Sequence, residues 1–323
     1  MESLTLRDIL EARERISGTV HRTPLFRSAT FSEWTGCEVY MKAENLQKTG
    51  SFKIRGASNK ILSLPRDKGL RGVLTASSGN HGQAVAYAAR ACGYPATVIM
   101  PQGGSPAKAA SISGYGAELL FCGTTSEERL AKAAELCQER GATFVPPYDD
   151  PFVMAGQGTA GLEIVEDLGD AAVVLVPTGG CGLISGVATA VKQTNPDIDV
   201  VGVEPEGSNS TGLSFAAGKR VALDKINTVA DGIRTTIPGE LTFPIVQKYV
   251  DDMLLVTDEA VVHAMTVLLE RCKLLAEPTG AVTLAAILSG ALPKKYQGKK
   301  VVALISGGNV ALPQLAAEIS ARA

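Results

Sequence analysis

Gly72-Val73-Leu74-Thr75-Ala76-Ser77-Ser78-Gly79-Asn80-His81-Gly82-Gln83 is the stretch from which the fold can be read. Its first five residues are apolar or β-branched and too few for a helix, which predicts a short buried strand. The next seven are small and polar, a loop that opens a helix of small residues over 83–91. A strand that runs through a tight loop into a helix is the repeating unit of a parallel sheet.

Outward from that stretch the unit recurs. Downstream come a strand over 96–100, a helix from Ser105-Pro106, a strand over 118–121, a helix from Ser126 and a strand over 143–145. Pro146-Pro147-Tyr148-Asp149-Asp150-Pro151 is stiff and turn-rich, and is read as a return crossing between domains. A second series follows: strand 172–176, a glycine loop, a helix to about 192, and strands at 200–204 and 253–256. An amphipathic helix over 259–275, a helix after Pro278 and a strand over 301–305 complete it. Upstream, Leu6, Ile9, Leu10 and Ile16 mark an amphipathic helix outside the core, and 38–43 alternates as a strand. The fold class is therefore α/β, with two domains, each an open, mostly parallel sheet flanked by helices. The small domain is placed at 69–149 and the large one at 1–68 with 150–323.

Composition bounds the function. At 323 residues, with 45% hydrophobic and 20% charged, the chain has the make-up of a globular protein of roughly two domains. A net charge of -2 gives no basis for nucleic acid or an anionic membrane as partner. The six cysteines form no Cys-x-x-Cys pair, so neither zinc nor a disulfide framework is indicated. The first residues lack a basic segment followed by an apolar one, and no apolar run reaches transmembrane length, so a reducing cytoplasm is expected.

Chemistry concentrates in loops that follow strands, where open parallel sheets bind ligands. Thr178-Gly179-Gly180-Cys181-Gly182-Leu183 lets backbone amides approach an anion at a helix start and suits a phosphate. Ser77 to His81 suits a carboxylate, and Ser306-Gly307-Gly308-Asn309 ends the last strand. Each has a plainer reading, since serine and asparagine at helix starts are commonly caps. In Asn45-Leu46-Gln47-Lys48-Thr49-Gly50-Ser51-Phe52-Lys53-Ile54-Arg55-Gly56-Ala57, Ser51 is expected to cap a helix. Lys53 stands in its first turn between two large apolar groups. A desolvated lysine loses proton affinity and becomes a nucleophile and base, although most helix lysines are simply solvated. The competing reading is an NAD-dependent oxidoreductase, with Gly180-x-Gly182 and Glu204 as a dinucleotide fingerprint; its third glycine is displaced and it leaves Lys53 unexplained. A non-catalytic amino-acid-binding protein is a further alternative. An activatable lysine, a phosphate loop and a carboxylate turn together match a pyridoxal phosphate enzyme.

The motifs Ser51-Phe52-Lys53-Ile54-Arg55-Gly56-Ala57, Ser77-Ser78-Gly79-Asn80-His81-Gly82-Gln83 and Ser306-Gly307-Gly308-Asn309 resemble the serine/threonine dehydratase and serine racemase family of pyridoxal phosphate enzymes. Ala155-Gly156-Gln157-Gly158-Thr159 and Glu277-Pro278-Thr279-Gly280 extend the resemblance over nearly the whole chain. It implies the type II fold of these enzymes, similar to tryptophan synthase β, with a large pyridoxal-phosphate-binding domain and a small mobile one. It also implies that Lys53 carries the cofactor and moves the α-proton, that Phe52 lies against the ring, and that Asn80 binds its 3-oxygen. Gly179, Gly180, Cys181, Gly182 and Leu183 would hold the phosphate, with Cys181 where many relatives have glycine. Ser306 would face the pyridine nitrogen, and Ser77, Ser78, Gly79, Asn80 and His81 would hold the substrate carboxylate.

The implied reaction is β-elimination of L-threonine, and of L-serine, to a 2-oxo acid and ammonia. Ser78 resembles the second acid-base residue of serine racemases, so racemisation and elimination from L-threo-3-hydroxyaspartate are the alternatives. Tyr148 stands where mammalian racemases have asparagine, and its segment resembles the dehydratase version. The family's divalent metal site, for Mg or Ca, would fall on Glu204, the Ser208 carbonyl and Ser210, where relatives often have aspartate. A homodimer is usual for the family. The reading expects no C-terminal regulatory domain after the serine-glycine loop.

Overall fold

The computed structural model describes residues 4–65, 71–77 and 79–321. Its strands are β1 (Leu25–Arg27), β2 (Glu38–Ala43), β3 (Val73–Ala76), β4 (Ala96–Met100), β5 (Glu118–Phe121), β6 (Thr143–Phe144), β7 (Val173–Pro177), β8 (Asp199–Pro205), β9 (Asp252–Val256) and β10 (Lys300–Ile305). They make a six-stranded sheet in the order β1-β2-β10-β7-β8-β9 and a four-stranded sheet in the order β5-β4-β3-β6. Every pairing is parallel except that of the edge strand β1 with β2. The four-stranded sheet uses one continuous stretch of chain, whereas the six-stranded sheet uses strands from before and after it.

The central strands explain why the alternating pattern reads so clearly. All residues of β7 are buried, as are Val301 to Ile305 of β10, because helices cover both faces of the sheet. Val302 pairs with both Tyr40 and Val174, which brings the carboxyl ends of β2, β10 and β7 to one edge. Those ends release the loops that hold Lys53, Ser306 and the glycine run.

The helix Pro151–Asp167 follows the crossing segment. Asp150 caps it by accepting the N–H groups of Phe152 (2.9 Å) and Val153 (3.1 Å), and Pro151 starts it with a preset φ. The sequence reading does not find this helix: buried almost without a break from Val153 to Ile164, it shows no amphipathic period. Its glycines permit close crossings. A Cβ on Gly156 would come within 2.5 Å of the Arg55 carbonyl, and one on Gly186 within 2.3 Å of the Met154 carbonyl. The Ala155-to-Thr159 block is thus explained by packing.

Behind the Lys53 helix lies a buried charge network. Arg55 bonds Glu44 at 2.8 Å and Glu163 at 2.7 Å, and Lys42 bonds Glu163 at 2.7 Å. Arg55, Lys42 and Glu44 are fully buried. Burial pushes the Glu163 carboxyl up, but Arg55 and then Lys42 pull it down past its ordinary value. Two cations and two carboxylates therefore pin the helix Lys53–Leu62 to β2 and to the helix Pro151–Asp167.

Three local expectations need correction. Ser51 is not the cap of the Lys53 helix: its backbone bridges to Gly307, its buried hydroxyl has no partner, and Phe52 occupies the cap position with helical angles. The helix after β3 begins at Asn80, three residues before Gln83. The helix expected over 259–275 is regular only from Asp258 to Val267; a wider turn over Leu268–Cys272 follows, and Lys273, at φ 60, stops it. None of the six cysteines is in a disulfide. Among the described residues no helix is long and apolar enough to cross a membrane.

Candidate active site

Lys53 is the first residue of the helix Lys53–Leu62. The residue is half-buried. Its Nζ donates to the Pro147 carbonyl at 2.7 Å and lies 5.1 Å from the centre of the Phe52 ring. Burial pushes the amine down to about 8, with the Glu277 carboxylate pulling the other way. At neutral pH roughly a tenth of such an amine is unprotonated, against fewer than about one in a thousand for an ordinary lysine.

The loop that precedes Lys53 is tied to the loop after β10. The Phe52 N–H donates to the Ser306 carbonyl at 3.0 Å, and Gly308 N–H to the Gly50 carbonyl at 2.9 Å. Ser306 is buried, and its hydroxyl points to the Thr279 carbonyl at 3.4 Å. Asn309 Nδ2 donates both to the Thr49 carbonyl (2.7 Å) and to Asn80 Oδ1 (2.9 Å). Asn80 Nδ2 in turn donates to Glu277 Oε1 at 2.5 Å. Asn80 belongs to the four-stranded unit while Asn309 and Glu277 belong to the six-stranded one, so these bonds join the two.

Glu277 lies in a motif to which the sequence assigns no role. It is buried against Gly307, where a Cβ would come within 2.4 Å of its carboxyl oxygen. Burial pushes it up to about 8, Asp231 adds to the push, and Lys108, Asn80 and Lys53 oppose it. Lys53 and Glu277 are thus both driven toward their neutral forms. No local sequence signal reveals this, since the two residues stand far apart in the chain.

The turn after β3 is partly the ordinary helix start that its composition allows. Ser77 Oγ accepts the N–H groups of Gly79 (3.3 Å) and Gly82 (3.1 Å). Ser78 lies outside the described residues. His81 is buried, its Nε2 bonded to the Val145 carbonyl at 2.9 Å and its Nδ1 without a partner. Burial, and then Lys53, push the imidazole down to about 3, so it is neutral. With its one N–H donated to Val145, the ring has no donor for a carboxylate, and residue 81 can serve an anion only through its backbone N–H.

The glycine loop leaves β7 and starts the helix Gly182–Thr194. Cys181 caps that helix at φ 71, a left-handed conformation suited to glycine. Burial pushes its thiol up, and its Sγ lies 3.2 Å from the Thr211 hydroxyl. Tyr148 explains the neighbouring glycines: a Cβ on Gly180 would come within 2.4 Å of the Tyr148 ring, and one on Gly182 within 2.8 Å of its Cβ. Pro147 accepts from Lys53 and Tyr148 lies on the glycines, so the crossing segment sets the distance between lysine and loop. The amide N–H groups from Gly179 to Leu183 have no acceptor among the described residues.

Glu204, at the end of β8, is buried and accepts the N–H groups of Thr211 (3.0 Å) and Gly212 (2.7 Å). Burial pushes it up to about 7. Thr211 then donates its hydroxyl to the Gly179 carbonyl at 3.1 Å, so Glu204 braces the glycine loop from behind. Ser208 and Ser210 donate their hydroxyls to the carbonyls of Ile233 (3.0 Å) and Thr235 (2.9 Å). A ribose-binding role would need a free carboxylate here, and both oxygens are taken.

These residues fit pyridoxal phosphate on their own geometry. The run of unpaired amides at a helix start offers a phosphate cradle. A half-buried amine of lowered proton affinity, the half-buried Phe52 ring, the Asn80 amide and the buried Ser306 hydroxyl stand on loops bonded to one another, through Phe52 to Ser306 and through Asn309 to Asn80.

Residues 16–307 match the family model described as pyridoxal-phosphate dependent enzyme. The chain is 48% identical to the L-threonine ammonia-lyase of Thermotoga maritima, over 95% of this chain and 76% of that protein. It is 43% identical to the catabolic L-threonine dehydratase of Escherichia coli K12, over 95% and 94%. Among solved structures, maize serine racemase superposes with a TM-score of 0.94 at 38% identity, covering 99% of this chain and 98% of that one. A threonine deaminase from T.th. superposes with a TM-score of 0.90 at 44% identity, covering 95% and 99%.

Proposed function

The chain belongs to the pyridoxal-phosphate dependent enzyme family, and on that premise we propose that it eliminates the β-hydroxyl of L-threonine, and of L-serine, to give a 2-oxo acid and ammonia. The observation that carries this reading is the Lys53 amine bonded to the Pro147 carbonyl, whose neighbour Tyr148 packs on the glycine loop with its unpaired amides. Curated and solved relatives at 43 to 48% identity carry the names of threonine ammonia-lyase, dehydratase or deaminase, which supports the substrate.

Pyridoxal phosphate supplies an electron sink for the bond that breaks at the substrate Cα. The chain's residues do the rest. Lys53 binds the cofactor and takes the α-proton, and its lowered affinity keeps a useful fraction of free amine near neutral pH. Gly179, Gly180, Cys181, Gly182 and Leu183 hold the phosphate through their amides. Asn80, held by Asn309 on Oδ1 and by Glu277 on Nδ2, would offer its second Nδ2 proton to the cofactor's 3-oxygen, and Phe52 would back the ring. Ser306 would offer the pyridine nitrogen a neutral hydroxyl in place of a carboxylate, which would favour early loss of the β-hydroxyl. Ser77, Gly79, Asn80 and the His81 backbone would hold the substrate carboxylate, which would take the Gly79 N–H from Ser77 Oγ, and the family resemblance assigns Ser78 to the same role. Net, the hydroxyl leaves as water and one water cleaves the C–N bond, so the atoms of threonine appear as oxo acid and ammonia.

A second reading, racemisation as a side reaction, rests on Ser78 and on the serine racemase likeness at 38% identity. A divalent cation, Mg or Ca, on Glu204, the Ser208 carbonyl and Ser210 would have to share a carboxylate whose two oxygens already accept the Thr211 and Gly212 amides, and no step is assigned to it. The domain division 1–68 with 150–323 and 69–149, a homodimer and a cytoplasmic setting complete the proposal. The half-exposed Trp34 and the exposed Phe26 and Leu269 support an interface.

The test is 2-oxo acid formation by the cofactor-loaded protein from L-threonine and L-serine, with D-serine followed in parallel. Threonine with the highest kcat/KM supports the reading. D-serine accumulation without oxo acid overturns it.

A further inference from the structure

The helix Pro106–Gly114, which flanks the four-stranded sheet, carries Lys108. Its Nζ pairs with Asp231 Oδ2 at 2.5 Å, although Asp231 belongs to a short turn, Asp231–Ile233, on the six-stranded unit. That turn borders the site. A Cβ on Gly179 would lie 3.1 Å from the Ile233 Cα, and the Gly232 N–H donates to Thr279 Oγ1 at 2.9 Å, next to the carbonyl that faces Ser306. The lysine borders it too, since a Cβ built on Gly79, in the carboxylate turn, would lie 3.6 Å from Nζ. Lys108 keeps 19% of its side-chain exposure and Asp231 37%, so the pair stands at the rim, neither sealed in nor free in solvent. A cation against a carboxylate-binding turn would attract a second carboxylate on the same substrate, unless its charge were already met.

We propose that the Lys108–Asp231 pair sets substrate choice: by neutralising Lys108, Asp231 makes the site prefer β-hydroxy amino acids with an uncharged Cβ substituent over those with a carboxylate there. The inference rests on the elimination reading above. Threonine and L-threo-3-hydroxyaspartate make the comparison, for they share the α-carboxylate, α-amine and β-hydroxyl and differ in the group on Cβ. The same two charges act on Glu277, where burial pushes the carboxyl up, Asp231 adds to the push and Lys108 opposes it, which places both within reach of the reacting centre. An ion pair that only clasps the two units together would alter both substrates alike.

The experiment measures kcat/KM for both substrates with the cofactor-loaded wild type, Asp231→Asn, Lys108→Met and the double variant, at one low ionic strength. One unit charge acting over ~6 Å is worth about threefold in water and about a hundredfold at a protein surface of low dielectric, so about tenfold in partly solvated surroundings. The hydroxyaspartate-to-threonine ratio should therefore rise about tenfold in Asp231→Asn, fall about tenfold in Lys108→Met and return close to the wild-type value in the double variant. Melting temperature and visible absorbance of each variant establish folding and loading. Should Asp231→Asn fail either check, the fall in Lys108→Met decides. A ratio unchanged in Lys108→Met, with both substrates slowed together, overturns the inference while leaving the elimination reading intact. A loaded wild type that forms no oxo acid from either substrate overturns both.

Discussion

Replacing the central lysine should make the cofactor-free protein more stable. Burial lowers the Lys53 amine from 10.5 to about 8, so below pH 8 the folded chain holds an ammonium in a site that disfavours it. The difference corresponds to about 3 kcal/mol, and since Lys53 is half-buried rather than sealed, that figure is a ceiling. The sign follows from proton counts. Between pH 8 and 10.5 the unfolded chain binds more protons at this residue than the folded one, so this group's contribution to stability rises with pH across that window. Lys53→Met removes the titration. At pH 7 it should raise the melting temperature of the apoprotein by up to about 4 °C, given the unfolding entropy of a chain this long. At about pH 9.5 the gain should shrink to less than half, because most of the cost has already been relieved in the wild type. Thermal unfolding of both apoproteins at the two pH values, followed by far-UV circular dichroism, is the assay. A variant less stable at pH 7, or a gain independent of pH, would refute the claim that Lys53 is held against its preferred charge.

Arg55→Met should be among the most damaging core changes, lowering stability by about 3–5 kcal/mol, because it leaves Glu44 and Glu163 buried with Lys42 as the one remaining cation of the network; denaturant titration checks this. Gly180→Ala should displace Tyr148, and with it Pro147 and the acceptor of Lys53. Its expected signature is at least about tenfold weaker cofactor binding in a titration followed by absorbance, with secondary structure intact. Cys181→Gly should change stability by no more than about 1 kcal/mol and retain cofactor affinity, since relief of the left-handed strain offsets the lost packing. Affinity lost about tenfold there would mean that the thiol itself takes part.

The parts of the site that the sequence disclosed are those written in consecutive residues. The strand, turn and helix around Asn80, the glycine loop and the Ser306 loop each carry their own signal of β-branched run, small residues and helix start. What stayed hidden is long-range. Glu277 gains its raised proton affinity from burial and from Asp231, and its bond from Asn80, none of them near it in the chain. Pro147 and Tyr148 were legible as a stiff crossing, but not as the acceptor of Lys53 and the neighbour of the glycines. Ser51 has the composition of a cap, yet its backbone pairs with Gly307, and tertiary pairing prevailed over local preference. The helix 151–167 lacks a polar face, so periodicity could not find it. His81 stands where an anion-binding turn needs a backbone donor, and only its bond to Val145 reveals that the ring has no proton left to give.

The most direct test of the account is borohydride reduction of the cofactor-loaded protein, followed by peptide mapping. The visible absorbance should be lost and a phosphopyridoxyl group should appear on Lys53, with no label in Lys53→Ala. A label on another lysine, or a protein that takes up no pyridoxal phosphate at all, would contradict the account.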